Sequence, residues 1–441
     1  MKQTVFPVWS LALSVVGMIA AAQAASPPSP PTVLTQAQKA EEGISRARLA
    51  RLDEFMKTTI RAGNYPGAVT MISRHGRIVE LRQYGHRDLA RKTPMTADSI
   101  FRIYSMTKTI ASVAVLMLME EGKLALDDPV GKFIPAFSEI KVFEGGTIDA
   151  PQLRTPRQPI TIRQLLTHTA GFATHGANDD IAMTRFNRID LHTLPTLAAY
   201  ADYVAHQWLA LNPGEQFRYD GVSIEVASRL VEVVSGMPFD VFLRQRILTP
   251  LKMADTGFSV AAENRRRVVD LVTTDATGQL ILAATHSAAH PGDSLNPYPS
   301  GAGGLYSTAR DYLRFCQMLL NGGTLDGVSI LGRKTVELMM MNHLGDAIVP
   351  AGALGKGEGF GLGGYVVMDV ARRGRPGSPG QFGWLGAAST YYTIDRKENL
   401  IAMLLMQHLP QGHPKDPPKI GVRFINTVYQ SLVTTADAHG K

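Results

Sequence analysis

Apolar residues at Leu49, Leu52, Phe55, Met56 and Ile60 recur three or four positions apart, the spacing of one helix face, and predict an amphipathic first helix. The runs "AVTMIS" and "IVELRQYG" then flank the turn "RHGR" and read as a β-hairpin. Near the other end, "STYYTID" and "LIAMLLMQ" around the polar turn "RKEN" predict a second hairpin, followed by a helix with Ile420, Phe424, Val428 and Leu432 on one face. Strands at both ends with helical patterns between them predict an α+β fold: an antiparallel sheet built from both termini, flanked by helices, with an inserted mainly helical region. The expected domain spans 44–433, its α/β part at about 44–104 and 330–433, its helical insertion at about 105–329, and a short tail occupies 434–441. No internal repeat of fixed period is present.

The first residues follow a different pattern. Lys2 precedes the mainly apolar run "VFPVWSLALSVVGMIAAA", which ends in the small residues Ala22-Gln23-Ala24. That order predicts a signal peptide over 1–24, cleaved after Ala24, and a periplasmic or secreted protein. An uncleaved anchor is the alternative, since the run approaches the ~20 residues of a spanning helix. Residues 25–43, with "ASPPSPPT", read as a Pro-rich tether. Cleavage would leave 441 − 24 = 417 residues, enough for a large core, and no other segment of spanning length, so no membrane contact is expected in the mature form.

The net charge of +7 is scattered, with no basic stripe interleaved with aromatics, which argues against nucleic acid as a partner. Cys316 is the single cysteine, so an internal disulfide is excluded; in "DYLRFCQMLLNGG" it reads as a small buried hydrophobe. His168 and His175 in "THTAGFATHG" are expected to form structural hydrogen bonds rather than bind a metal. Gly359 to Gly364 fits G-x-G-x-x-G, but an extended pattern follows it where a nucleotide site needs a helix. A glycine-rich entry to a strand is the reading adopted. No cofactor and no metal are expected.

Chemistry concentrates in "IYSMTKTIASVAVLMLMEEGKL", residues 103–124, where the uncharged run Ile110–Met119 follows a serine and a lysine. Three positions apart on a helix, Ser105 and Lys108 share a face, with Cβ atoms about 5–6 Å apart. In the first turn, free N–H groups and the helix dipole stabilise negative charge developing at Ser105. A lysine in an apolar setting has its charged form disfavoured and can accept a proton. The spacing alone is unspecific, because Ser138-Glu139-Ile140-Lys141 matches it too, and a serine that merely caps a buried helix fits equally well. Context separates the two: Ser105 opens a long apolar helix ending at Gly122, whereas Ser138 runs into "VFEGGTIDAP".

Further motifs settle the comparison. With "FRIYSMTKT", "EEGKLALDDPVGKFIPAF", "ITIRQLLTHTAGF", "NPGEQFRYD", "LTPLKMADTGF", "GAGGLYSTARDYLRFCQMLLNGG" and "GWLGAASTYYTID" in order, the chain resembles the serine β-lactamase and penicillin-binding-protein-like hydrolases. It is most similar to class C β-lactamases and family VIII carboxylesterases. The resemblance implies acyl transfer through a covalent serine intermediate, with Ser105 as nucleophile, Lys108 as its activating partner and Tyr219 sharing the proton transfer. Two departures bear on substrate. Gly221 stands where the family's Tyr-x-Asn motif has asparagine, and Trp384-Leu385-Gly386 replaces Lys-Thr-Gly in the manner of the family VIII esterases. The resemblance further implies that Trp384 forms a flat apolar wall, that Gly386 lets substrate approach the strand, and that the N–H groups of Ala387 and Ser105 form an oxyanion hole.

Losing the Lys-Thr-Gly lysine removes a cation that pairs with a carboxylate. The expectation is therefore an exported serine hydrolase, a carboxylesterase cleaving short acyl esters. Its partner is then a small-molecule ester or amide substrate. The alternatives are a class C-like β-lactamase or D-alanyl-D-alanine peptidase, and, in another class, a non-catalytic acylated sensor. Absence of G-x-S-x-G disfavours an α/β-hydrolase. The segment from Asn264 to Gly304 is expected at the rim of the site.

Overall fold

The computed structural model describes Met1 and residues 42–174, 181–345, 348 and 354–434. The expected signal peptide, nearly all of the tether, His175 and all but the first residue of the tail lie outside the described residues. The chain divides into two compact units, Met1–Thr32 and Val33–Lys441, and the elements named below belong to the second.

Both expected hairpins form. Strands β1 (Gly67–Arg74) and β2 (Arg77–Gly85) turn at His75 and Gly76, both left-handed at φ 49° and 77°, as a two-residue hairpin turn requires. Helix α1 (Arg46–Arg61) precedes them, its first turn capped by the Ser45 side chain. After β2 come helices α2 (Thr107–Glu120), α3 (Val222–Ser235) and α4 (Ala309–Leu320), then strands β3 (Glu358–Phe360) and β4 (Tyr365–Val367). Strands β5 (Phe382–Gly386), β6 (Thr390–Asp395) and β7 (Leu400–Leu405) and helix α5 (Gly421–Gln430) complete the chain. The glycine-rich run that imitated a nucleotide motif is the turn of the β3–β4 hairpin.

The sheet runs β3-β4-β5-β6-β7-β1-β2, and every neighbouring pair is antiparallel. Pairing of β1 with β7, Val69 opposite Leu405, joins the two ends of the chain. All six residues of β7 are buried because both its faces are covered. Leu400, Ala402 and Leu404 pack with α1 and α5, while Ile401, Met403 and Leu405 enter the main core, as alternation along a strand dictates. Each such side chain contributes roughly 1.5–3 kcal/mol of burial.

Helix α2 is apolar all round and lies inside the protein, with every residue from Thr107 to Leu118 buried. It packs against α3, and the Thr109 hydroxyl donates to the Gly363 carbonyl at 2.8 Å in the β3–β4 turn. The α-helix proper starts two residues later than the sequence implied. Ser105 sits in a single 3-10 turn, Tyr104–Met106, that runs into it, because Tyr104 adopts φ 42° and prevents regular helix there.

Candidate active site

The turn before α2 aims Ser105 at its partner. Lys108 Nζ lies 3.1 Å from Ser105 Oγ and donates to the Ala302 carbonyl at 2.6 Å. Lys108 is 3% exposed, so its amine meets little water except through the cavity. The other S-x-x-K pair is not built this way: Ser138 ends a 3-10 turn, Lys141 starts a separate strand, and its amine reaches Thr155.

Tyr219 approaches from the loop before α3. The Arg218 N–H donates to the His168 carbonyl at 2.9 Å, tying this loop to the "HTAGF" segment. The His168 ring stands 4.7 Å from the Tyr219 ring. Burial holds His168 below the usual imidazole range, and its Nε2 has no hydrogen-bond partner among the described residues, so it packs against Tyr219 as a neutral ring. Lys108 Nζ lies 5.1 Å from the Tyr219 ring centroid. Asp220 lies just before Gly221, the N-cap of α3, and its Oδ1 accepts from the Ser223 N–H at 2.6 Å.

Ser105, Lys108 and Tyr219 line one cavity of about 500 Å³. Thr285, His286, Leu295, Asn296 and Ser300 form much of its remaining wall, so the segment expected at the rim is there. Gly221 lines it too, where a Cβ would meet only the Ala302 Cβ at 3.6 Å. Among the described residues lining the cavity, Lys108 is the sole lysine or arginine, while Asp220 and Glu225 are carboxylates.

The W-x-G residues depart from the expectation. Trp384 is 2% exposed and lies outside the cavity wall; its indole N–H donates to the Tyr219 hydroxyl at 3.0 Å. It is therefore a buried support behind Tyr219, edge-to-face with Phe360 and tilted against Tyr365. Gly386 makes room for the chain itself: an added Cβ would fall 2.4 Å from the Ile103 carbonyl and 2.3 Å from Thr390 Oγ1. That carbonyl belongs to the residue preceding the Tyr104–Met106 turn, so Gly386 lets β5 press against the nucleophile's backbone. Ala387 follows β5, is exposed, and with Gly386 lines a separate apolar cleft of about 400 Å³.

Sequence reasoning missed Glu225. It stands on α3 at 2% exposure in the cavity wall, accepting from the Ser300 hydroxyl and from the Gly301 N–H at 3.1 Å. Burial pushes its carboxyl up to about 7 against the pull of Ser300, Lys108 and Gly301. The signal was present: Val222, Glu225, Val226 and Leu230 share the buried side of α3, and an acid there demands a partner. No group of three or more His, Cys, Asp or Glu able to hold a metal occurs among the described residues.

With this geometry in hand, the family model for Beta-lactamase matches residues 50–422. Protein Rv1367c of Mycobacterium tuberculosis is 35% identical over 360 residues, covering 79% of this chain and 87% of its own length. Esterase EstB of Burkholderia gladioli is 29% identical over 386 residues, covering 82% and 91%. Among solved structures, EstCE1, a hydrolase with promiscuous acyltransferase activity, superposes with a TM-score of 0.71 at 26% identity, covering 88% of this chain and 99% of that one.

Proposed function

The chain belongs to the β-lactamase family, and from that premise we propose that it is an exported carboxylesterase that cleaves short acyl esters through an acyl-enzyme on Ser105. The observation that carries this reading is the 3.1 Å approach of Lys108 Nζ to Ser105 Oγ in a cavity shared with Tyr219. Lys108 takes the hydroxyl proton as Ser105 attacks the ester carbonyl, and Tyr219 returns a proton to the leaving alcohol. Water then releases the acid by the same route in reverse. The N–H groups of Ser105 and Ala387 hold the developing oxyanion; the support for this is the tight packing of β5 on the Ile103 carbonyl at Gly386.

An uncharged ester is favoured over an anionic lactam because the cavity wall carries no lysine or arginine besides Lys108 among the described residues. Among the described residues of that wall, no second lysine or arginine stands ready to pair with a substrate carboxylate. Relatives named as an esterase and as a hydrolase agree with this choice. Export rests on the leader-like pattern of residues 1–24.

The test is turnover of a p-nitrophenyl short-chain ester by the native chain and by Ser105→Ala, with nitrocefin run alongside. The expected outcome is ester turnover well above nitrocefin turnover, abolished in a folded Ser105→Ala. Full activity in that variant refutes the nucleophile, and a strong nitrocefin preference refutes the substrate class.

A further inference from the structure

Glu225 takes no part in the proton transfers assigned above, yet its carboxylate is directed entirely at one short turn beside Lys108. One oxygen accepts from the Ser300 hydroxyl and the other from the Gly301 N–H, and the Ala302 N–H lies near enough to favour the charged carboxylate. The carbonyl of that same Ala302 is the 2.6 Å acceptor of Lys108 Nζ. The turn has little freedom to shift. A Cβ on Gly301 would fall 2.0 Å from Ser228 Oγ on α3, and the Leu305 N–H donates to Thr107 Oγ1 on α2 at 3.3 Å.

We propose that Glu225 is a positioning residue for the reaction: its ionised carboxylate clamps the Ser300–Ala302 turn, so that the Ala302 carbonyl aims the Lys108 amine at Ser105, and protonation of Glu225 releases that clamp. The inference rests on the Ser105–Lys108 reading of the site.

Donor and acceptor counting explains the switch. An ionised carboxylate only accepts, which suits three converging donors; a neutral carboxyl must present one O–H. The Ser300 hydroxyl can rotate to accept it, but the N–H groups of Gly301 and Ala302 cannot. Glu225 faces Lys108 on α2, Tyr200 on the helix Leu197–Ala205 and Tyr298 in the loop before the turn; Tyr200 in turn faces Asp220. Burial raises both tyrosine hydroxyls far above neutrality, so they stay uncharged. Lys108 favours the ionised carboxylate and burial opposes it, which leaves the change near neutral pH, at about 7. The clamp holds above that pH and is lost below it.

The experiment is the rate of Ser105 modification by a fluorophosphonate, which reports nucleophile activation whatever the natural ester. It is followed by mass spectrometry between about pH 5.5 and about pH 8.5, in the range where buried carboxyls of this kind titrate. Native chain, Glu225→Gln and Ser300→Ala are compared, with Ser105→Ala as blank. The native rate should rise through an inflection near 7. Glu225→Gln, which always presents an NH₂ to the turn, should react about ten-fold slower at high pH and lack the inflection. Ser300→Ala removes a hydrogen bond that favours the ionised form, so its inflection should move to higher pH. A native rate and inflection in Glu225→Gln, or an unmoved inflection in Ser300→Ala, overturns the inference while a labelled Ser105 leaves the esterase reading standing. No label on native Ser105 overturns the esterase reading and the inference with it.

Discussion

The indole N–H of Trp384 donates to the Tyr219 hydroxyl at 3.0 Å, linking two motifs 165 residues apart. One lone pair of that hydroxyl is thereby occupied by the indole, while Lys108 Nζ stands over the face of the same ring, 5.1 Å from its centroid. Trp384 thus contacts the Tyr219 hydroxyl from outside the cavity wall.

Trp384→Phe tests that relationship because it keeps the ring and removes the donor. Tyr219 is half-buried, and losing a hydrogen bond of this kind costs about 0.5–1.5 kcal/mol. If the loss falls on the proton-transfer step, kcat for a p-nitrophenyl ester should drop by up to about ten-fold while KM moves less than about threefold. Steady-state kinetics decide it: a raised KM at constant kcat would restore the residue to the substrate wall.

Gly386→Ala should damage the site through the backbone. The added methyl would sit 2.4 Å from the Ile103 carbonyl and 2.3 Å from Thr390 Oγ1, so β5 must retreat from the turn that carries Ser105. Overpacking of this kind costs about 1–3 kcal/mol. Thermal unfolding should show a lowered midpoint, and ester turnover should fall further than the unfolded fraction explains. The neighbouring Leu385, 47% exposed, supplies the control: Leu385→Ala should leave both quantities near native.

Much of this architecture was legible because local pattern and tertiary role agree. The 3.6-residue period of Leu49, Leu52 and Met56 is the face that packs under the sheet, and the turns at His75-Gly76 and around Asn399 mark both hairpins. Cys316, expected as a buried hydrophobe, is completely buried on α4. Ser105 and Lys108 were legible because their contact is made within one turn of chain. The contacts of Trp384 and Gly386 were not legible, for the opposite reason. Their partners, Tyr219 and Ile103, are remote in sequence, and no periodicity reveals which side of a strand meets a substrate and which meets the chain's own backbone. Glu225 was passed over because its partners lie in a loop whose path only the fold defines.

The raised carboxyl of Glu225 also makes a prediction for stability that is independent of turnover. Its ordinary value is 4.5 and its value in the fold is about 7, so within that window the folded chain keeps a proton that the unfolded chain has released. Stability therefore falls as pH rises through the window: the favourable contribution is complete below about 4.5 and gone above about 7. Asp311, pushed by burial to about 6, acts in the same direction, whereas Asp98, Asp127 and Asp128, held low by their partners, act oppositely at more acid pH. All of these are common to native protein and Glu225→Gln, so they cancel when the two are compared. Denaturant unfolding at a series of pH values should show the native chain losing stability relative to Glu225→Gln by an amount on the order of 3 kcal/mol across that window. A flat difference would show that the carboxyl does not change charge there, and the pH-controlled clamp on the Lys108 turn would lose its physical basis.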